Sequence, residues 1–520
     1  MTTRHYDVVL LGRSLGTLAC AVLLARRDFS VLLLGQNQPP PSYQYEGVRL
    51  RRRCFSMLFH NTPVWKRILH ELAQTQTFRR RVEPLDPMFS VLSETRRFEV
   101  CASGDDFQNE VEREFPEVRQ LVDEFYNQLG SANRSIDDAF NRDMVWPPQG
   151  LRDKLDAARV SSALPYDTAR ESDDALAKFP PNHPYREIAT LPAVFSTDLD
   201  YAYMGLPGLA FARLHGSWTR GLLGSHRGED EIEAFLLERL KSHGGVAVLD
   251  GAAEAIQVRG GKVTGIIEDG TDVVVGTEAV ITNLTGEAVA SLTGGAGVTK
   301  RAHDEWPRVS PTAGRFTVSL VVRNDGLPTN LGTESFLLPP EGKYPDPRRP
   351  VVHLQRFPVE RRDGGKPTES LLVAESLLPA DGALTLLEAR AAVISTLRSH
   401  FPFIGHHLLV VDSTHDGLPL EDYSTGVRRE IDRIHIPQSS TKPEFMEYQW
   451  TVEPTSHHGL AGEPLTGPVA GTYLVGRTTL PALGQEGELM AAWSVARLLT
   501  RRDSVRQKRR RQMWTKVETT

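Results

Sequence analysis

Residues 8–36, VVLLGRSLGTLACAVLLARRDFSVLLLGQ, decide the fold, and the five residues Gly12-Arg13-Ser14-Leu15-Gly16 inside them admit two readings. As G-x-S-x-G they spell the nucleophile elbow of a serine hydrolase. As a worn G-x-G-x-x-G they spell the phosphate turn of a dinucleotide-binding fold. Tyr6 to Leu11 is an apolar run of strand length closed by Gly12. Leu15 to Arg27 reads as an apolar helix whose small residues Ala19, Ala21 and Ala25 suit close packing on a sheet, and Ser30 to Leu34 reads as a second buried strand. Both motifs need this strand-turn-helix setting, so chain order must choose between them. A hydrolase elbow follows other strands, including one whose loop supplies an oxyanion N–H. Only eleven residues precede Gly12. The unit is a right-handed β-α-β crossover, and Ser14 is not a nucleophile.

In that crossover the first glycine makes the tight turn, the second admits the pyrophosphate, and the third lets helix and strand pack closely. Gly12 holds the first place, Ser14 the second and Thr17 the third, with Gly16 as an additional glycine. Gly35 and Gln36 stand where an acid for the ribose is expected. A missing ribose acid removes a charge-assisted hydrogen bond of order 1.5–3 kcal/mol, roughly a ten- to hundredfold loss of affinity.

The chain has 520 residues, enough for two or three domains, with 40% hydrophobic and 24% charged residues. A net charge of −6 argues against general nucleic-acid binding. Three cysteines, Cys20, Cys54 and Cys101, fit neither a disulfide framework nor a CxxC metal pattern, which points to a reducing compartment. The N-terminus reads as a strand and not as a signal peptide, and no run reaches the roughly 18 apolar residues of a spanning helix. The expected location is cytoplasmic, with peripheral membrane contact as an added expectation.

Further on, Glu229 to Ser242 shows helical periodicity. Strands are expected at Val246–Leu249, Ala253–Arg259, Lys262–Glu268, Asp272–Val275 and Glu278–Thr282, with Gly260-Gly261 and Asp269-Gly270 as hairpin turns. Near the end a strand at Thr472–Gly476 leads through a Gly/Pro loop into a helix from about Glu488 to Thr500. Phe107 to Leu129 reads as helical, Ala163 to Tyr185 as a loop or lid, and Gly332 to Pro379 as sheet strands.

Four stretches together resemble the phytoene-desaturase and carotenoid-isomerase-like flavoproteins of the amine-oxidase-like group. They are YDVVLLGRSLGTLACAVLLARRDFSVLLL (6–34), LDPMFSVLSETRRFEV (85–100), GAAEAIQVRGGKVTGIIEDGTDVVVGTEAVITN (251–283) and GTYLVGRTTLPALGQEGELMAAWSVARLL (471–499). The resemblance implies an α/β fold. A Rossmann-like FAD-binding domain would be assembled from residues 1–105, 225–300 and 455–500. An α+β substrate domain with an antiparallel sheet would comprise 106–224 and 301–454, and 501–520 would form a basic tail.

Carried over residue by residue, the family's pyrophosphate turn falls on Gly12, Ser14, Gly16 and Thr17, and its ribose acid on Gly35. Its next glycine pair falls near Pro40-Pro41-Ser42, and its adenine-contacting strand backbone on Ala253. Its C-terminal flavin loop falls on Gly476, Arg477, Thr478, Gly484 and Gly487, where Arg477 replaces the usual acid. The implied cofactor is FAD, bound weakly or lost. The implied function is a flavin-dependent oxidoreductase acting on a long apolar, isoprenoid-type substrate. No acid/base pair stands out as catalytic. The alternative is a non-enzymatic binding or scaffold protein on the same fold, as the Rab GDP-dissociation inhibitors exemplify.

Three features stand outside this frame. Tyr43 to Arg53, YQYEGVRLRRR, reads as a solvated edge, or alternatively as an anion-contacting loop. His406-His407 and His457-His458 lack a ligand set, so no metal is expected, although His457-His458 precede the segment that nears the flavin ring in the family. The tail RRDSVRQKRRRQMW (501–514) reads as a solvated helix end or a contact to an anionic membrane surface. Partners are therefore expected to be an apolar or lipid-like small molecule and an anionic membrane, not nucleic acid.

Overall fold

The opening β-α-β unit is present in the computed structural model, which describes residues 2–161, 164–165, 176–271, 273–339, 346–360 and 365–503. β1 (Thr2–Leu11) runs through Gly12 into α1 (Leu15–Arg26), and β2 (Val31–Leu34) returns parallel to β1, with Val8 opposite Val31 and Leu11 opposite Leu34. Every residue of α1 from Leu15 to Ala25 is buried. A helix apolar on all sides has to be covered on all sides. The sheet covers one side, and the helices Glu229–Ser242 and Gly484–Arg502 cover others.

The first sheet has seven strands. Parallel strands Val246–Val248, β2, β1, Val274–Thr282 and Thr472–Leu474 form its centre. The antiparallel hairpin Ala253–Arg259 and Lys262–Glu268 extends one edge. Residues 274–282 form one strand where the sequence pattern suggests two. Its first half pairs antiparallel with Gly265–Ile267 and its second half parallel with Thr472–Leu474, so a change of partner, not a break, separates the two apolar runs. The sheet thus joins chain segments that begin near residues 2, 246 and 472.

The second sheet has ten strands and is mostly antiparallel, centred on the long strand Arg308–Arg323. The hairpin Phe89–Leu92 and Arg97–Val100, grouped by sequence with the cofactor segments, belongs to this sheet, where Ser90–Leu92 pairs parallel with Ser335–Leu337. The region 107–129 lies in two helices, Gly104–Glu114 and Arg119–Phe140. Pro116 explains the break, because it disfavours helical backbone at Phe115 and lacks an N–H. Between the helices and the second sheet, Phe98, Phe115, Tyr185, Phe179, Phe125 and Phe211 pack ring against ring. Of the loop expected at 163–185, residues 163 and 166–175 lie outside the described residues, as do residues 504–520 of the tail. Among the described residues no helix is long and apolar enough to cross a membrane.

Candidate functional site: the dinucleotide cleft

The C-terminal ends of β1 and β2 and the N-terminus of α1 meet where such a fold places its ligand. Gly12 turns with φ +118°, a backbone conformation suited to glycine, and a side chain there would collide with Asn283 Oδ1. Asn283 and Gln38 exchange two amide hydrogen bonds of 3.0 Å, and the Arg13 backbone N–H donates to Gln38 Oε1 at 2.7 Å. This amide pair packs against the turn that would admit a pyrophosphate.

The helix end carries its own anion. The Gly16 N–H donates to the Glu488 carboxylate at 3.1 Å, and the Thr17 N–H donates to Ser14 Oγ at 3.3 Å. A carboxylate at a helix N-terminus satisfies the amides and the helix dipole that would otherwise bind phosphate. Ser14 is thus the N-cap of α1, in keeping with its rejection as a nucleophile.

Ala253, whose backbone falls where the resembled family contacts adenine, exchanges hydrogen bonds with a side chain. Gln36 Nε2 donates to Ala253 O at 2.9 Å, and the Ala253 N–H donates to Gln36 Oε1 at 2.8 Å. The Gly35 N–H donates to Val248 O at 3.1 Å, and a Cβ at Gly35 would overlap the Leu249 carbonyl. No side chain of any kind fits there without moving backbone.

The flavin-loop positions also face protein. A Cβ at Gly476, Gly484 or Gly487 would collide with a carbonyl oxygen, of Asn283, Ser196 and Leu480 respectively, and one at Gly16 of the phosphate turn would collide with the Val475 carbonyl. Close backbone packing therefore accounts for these glycines without a ligand. Thr478 donates its hydroxyl to Glu463, which also accepts from Trp306 Nε1 at 2.7 Å.

Arg477 reaches Glu447 at 2.6 Å, Glu488 at 3.5 Å and Asp198 at 3.7 Å. Arg53 pairs with Glu229 and Glu447, and Arg13 with Glu233. Arg52 pairs with Glu444 at 2.7 Å, and the Arg51 guanidinium lies 3.4 Å from the centre of the Phe357 ring. The arginines at 51 and 52 are buried, which corrects the reading of 43–53 as a solvated edge. Their partners are acids more than 170 positions away for Arg53 and more than 390 for Arg52, so local composition does not reveal them.

A cavity of about 50 Å³ is lined by Arg53, Cys54, Asp198, Glu447, Arg477 and Glu488 among others. Its electrostatics are divided. Burial pushes the Asp198 carboxyl up to about 7, against the pull of Arg477. Burial would also raise Glu447, but Arg477, Arg53 and Arg315 hold it down at about 2. Burial pushes the Cys54 thiol well above its ordinary range. That keeps it protonated and a poor nucleophile.

Asp198 supplies a pH test. Its folded value lies above its unfolded value, so its contribution favours folding at acid pH and is lost as pH rises through about 7. Asp198→Asn should accordingly stabilise the protein by roughly 2–4 kcal/mol above about pH 8, with the gain vanishing near pH 4. Chemical denaturation of both proteins across this range checks it, and a gain independent of pH would refute it.

Among the described residues no group of three or more His, Cys, Asp and Glu could hold a metal ion. His457 and His458 both have positive φ, and burial, with the charges of His458 and Lys154, lowers the pKa of His457. Gln38, Asn283, Glu488 and Glu447, which fill or brace the cleft, carry no local signal in the sequence. Gln36 shows in the sequence only as a non-acid at the ribose position, and its pairing with Ala253 carries no local signal.

No family model matches this chain, and no curated protein does. Solved structures do. An oxidoreductase from Methanosarcina mazei aligns over 95% of this chain and 99% of its own, at 16% identity and a TM-score of 0.55. A putrescine oxidase triple mutant with redesigned cofactor binding aligns over 96% and 99%, at 12% identity and 0.54. Wild-type putrescine oxidase bound to putrescine gives 95% and 99%, at 11% identity and 0.52. These likenesses show the fold alone, a mixed α/β architecture with a Rossmann-like sheet that this chain shares with those oxidoreductases. They do not single out the phytoene-desaturase subgroup.

Proposed function

We propose that this chain is a non-catalytic binding protein that keeps the flavin-oxidoreductase fold and has replaced the cofactor with its own side chains. One observation carries the reading. At three successive points of the cleft, where adenine, ribose-pyrophosphate and helix end would meet the ligand, a protein amide or carboxylate already makes the contact. These are Gln36 on Ala253, Gln38 with Asn283 beside Gly12, and Glu488 on Gly16. As arranged, these residues do not fit a dinucleotide. Binding would have to displace them and unpair Glu488 near Arg477, leaving buried polar groups unsatisfied. The apolar, lipid-like ligand expected from the sequence remains part of the proposal.

The other reading is a flavin-dependent oxidoreductase on an isoprenoid-type substrate. Its support is the intact strand-turn-helix geometry at Gly12 and the likeness to oxidoreductase folds. A visible spectrum of protein purified from riboflavin-supplemented cells separates the two. The binding-protein reading expects a colourless protein that releases no flavin on denaturation. Stoichiometric flavin would overturn it and leave the oxidoreductase.

A further inference from the structure

The helix Leu151–Ser161 turns an apolar stripe outward. Leu151 is 78% exposed and Leu155 54% exposed, while Asp153, Ala157 and Val160 face inward. At roughly 100° per residue, Leu151, Leu155 and Ala158 fall on one line along the outer face. Lys154 flanks that line on one side, and Arg152 and Arg159 flank it on the other, all of them exposed. Asp156 is the one acid of this helix outside its inward face, 3.6 Å from Arg159 at the rim.

This arrangement is the reverse of an ordinary surface helix, which hides leucines and shows charge. Apolar side chains flanked by long cations suit an interface between hydrocarbon and phosphate, where leucines enter the acyl boundary and Lys and Arg stems reach back to headgroups. Two neighbouring features point the same way. Arg501, at the end of the Gly484–Arg502 helix, pairs with Asp153 at 2.7 Å and so fixes the end of that helix on this one. From there the sequence continues through Arg506, Lys508, Arg509, Arg510 and Arg511. A net charge of −6 for the whole chain makes this local excess of cations stand out.

We propose that the outer face of the Leu151–Ser161 helix docks the protein onto an anionic lipid bilayer, with Leu151 and Leu155 inserted and Arg152, Lys154 and Arg159 on the phosphates. The inference is independent of whether the cleft binds flavin. Each basic residue near such a surface adds attraction that salt screens, and each leucine adds attraction that salt does not.

The test is co-sedimentation of the full chain with vesicles of phosphatidylglycerol or of phosphatidylcholine alone. Binding to the anionic vesicles is expected, with little to the neutral ones. Leu151→Ser/Leu155→Ser should weaken it by roughly tenfold or more. Arg152→Gln/Lys154→Gln/Arg159→Gln should weaken it and flatten its salt dependence. Both substitution sets lie on exposed positions, and circular dichroism confirms that the fold is kept. Absence of binding to phosphatidylglycerol, equal binding to both lipids, or unchanged binding in the leucine variant would each overturn the proposal.

Discussion

Arg213→Met should destabilise the protein by about 3–5 kcal/mol, the cost of leaving a buried charge without its partner. Arg213 is 2% exposed. Its guanidinium holds the buried Glu486 through two nitrogens, reaches Asp137 at 2.6 Å and touches Asn133 at 3.3 Å. Glu486 sits in the first turn of the Gly484–Arg502 helix, two residues from the Glu488 that bonds to Gly16 of α1. Loss of Arg213 therefore strands a carboxylate and loosens the helix whose Glu488 accepts from Gly16. Denaturant titration followed by tryptophan fluorescence measures the loss. The double variant Arg213→Met/Glu486→Met should recover most of it, because no unpaired charge is then left. A single variant as stable as the native protein would show that Glu486 finds water or another partner.

Gly35→Glu gives the second large effect, and here the structure reverses what the sequence suggests. By motif alone, a glutamate at 35 restores the ribose acceptor and should raise dinucleotide affinity. In the fold, its Cβ would overlap the Leu249 carbonyl, and the Gly35 N–H is committed to Val248 O. The strand Val246–Val248, which pairs with β2, would have to move away. The expected result is a loss of roughly 3 kcal/mol, the upper end of overpacking costs, with no gain in flavin binding. Thermal melting and flavin titration of the one variant check both halves. A stable variant that takes up FAD would refute the account of this turn.

These two cases mark where the sequence is legible. The run from Tyr6 to Leu34 declares its strands and helix because each is buried on all sides and reads as unbroken apolar text. The helix at Glu229–Ser242 and the hairpin at 253–268 are equally plain, through helical periodicity in one and the Gly260-Gly261 turn in the other. The contents of the cleft are not legible, for a physical reason. Glu488 meets Gly16 across 472 positions, Gln38 meets Asn283 across 245, and Gln36 meets Ala253 across 217. Each residue is unremarkable among its sequence neighbours, and only the fold brings its polar group to the ends of β1 and α1. The same holds for Arg51, Arg52 and Arg53, whose charge reads as solvation until acids and an aromatic ring from distant segments close around them. The absence of an acid at Gly35 is legible, since a residue at a motif position is local.

The central claim is that protein side chains have taken the place of the cofactor, and calorimetric titration of the purified chain with FAD tests it most directly. The account predicts no binding heat and no development of a bound-flavin spectrum at any accessible FAD concentration, because Gln36, Gln38, Asn283 and Glu488 would each have to give up a satisfied contact. Saturable, equimolar uptake of FAD would contradict it and would mean that these contacts yield to the ligand.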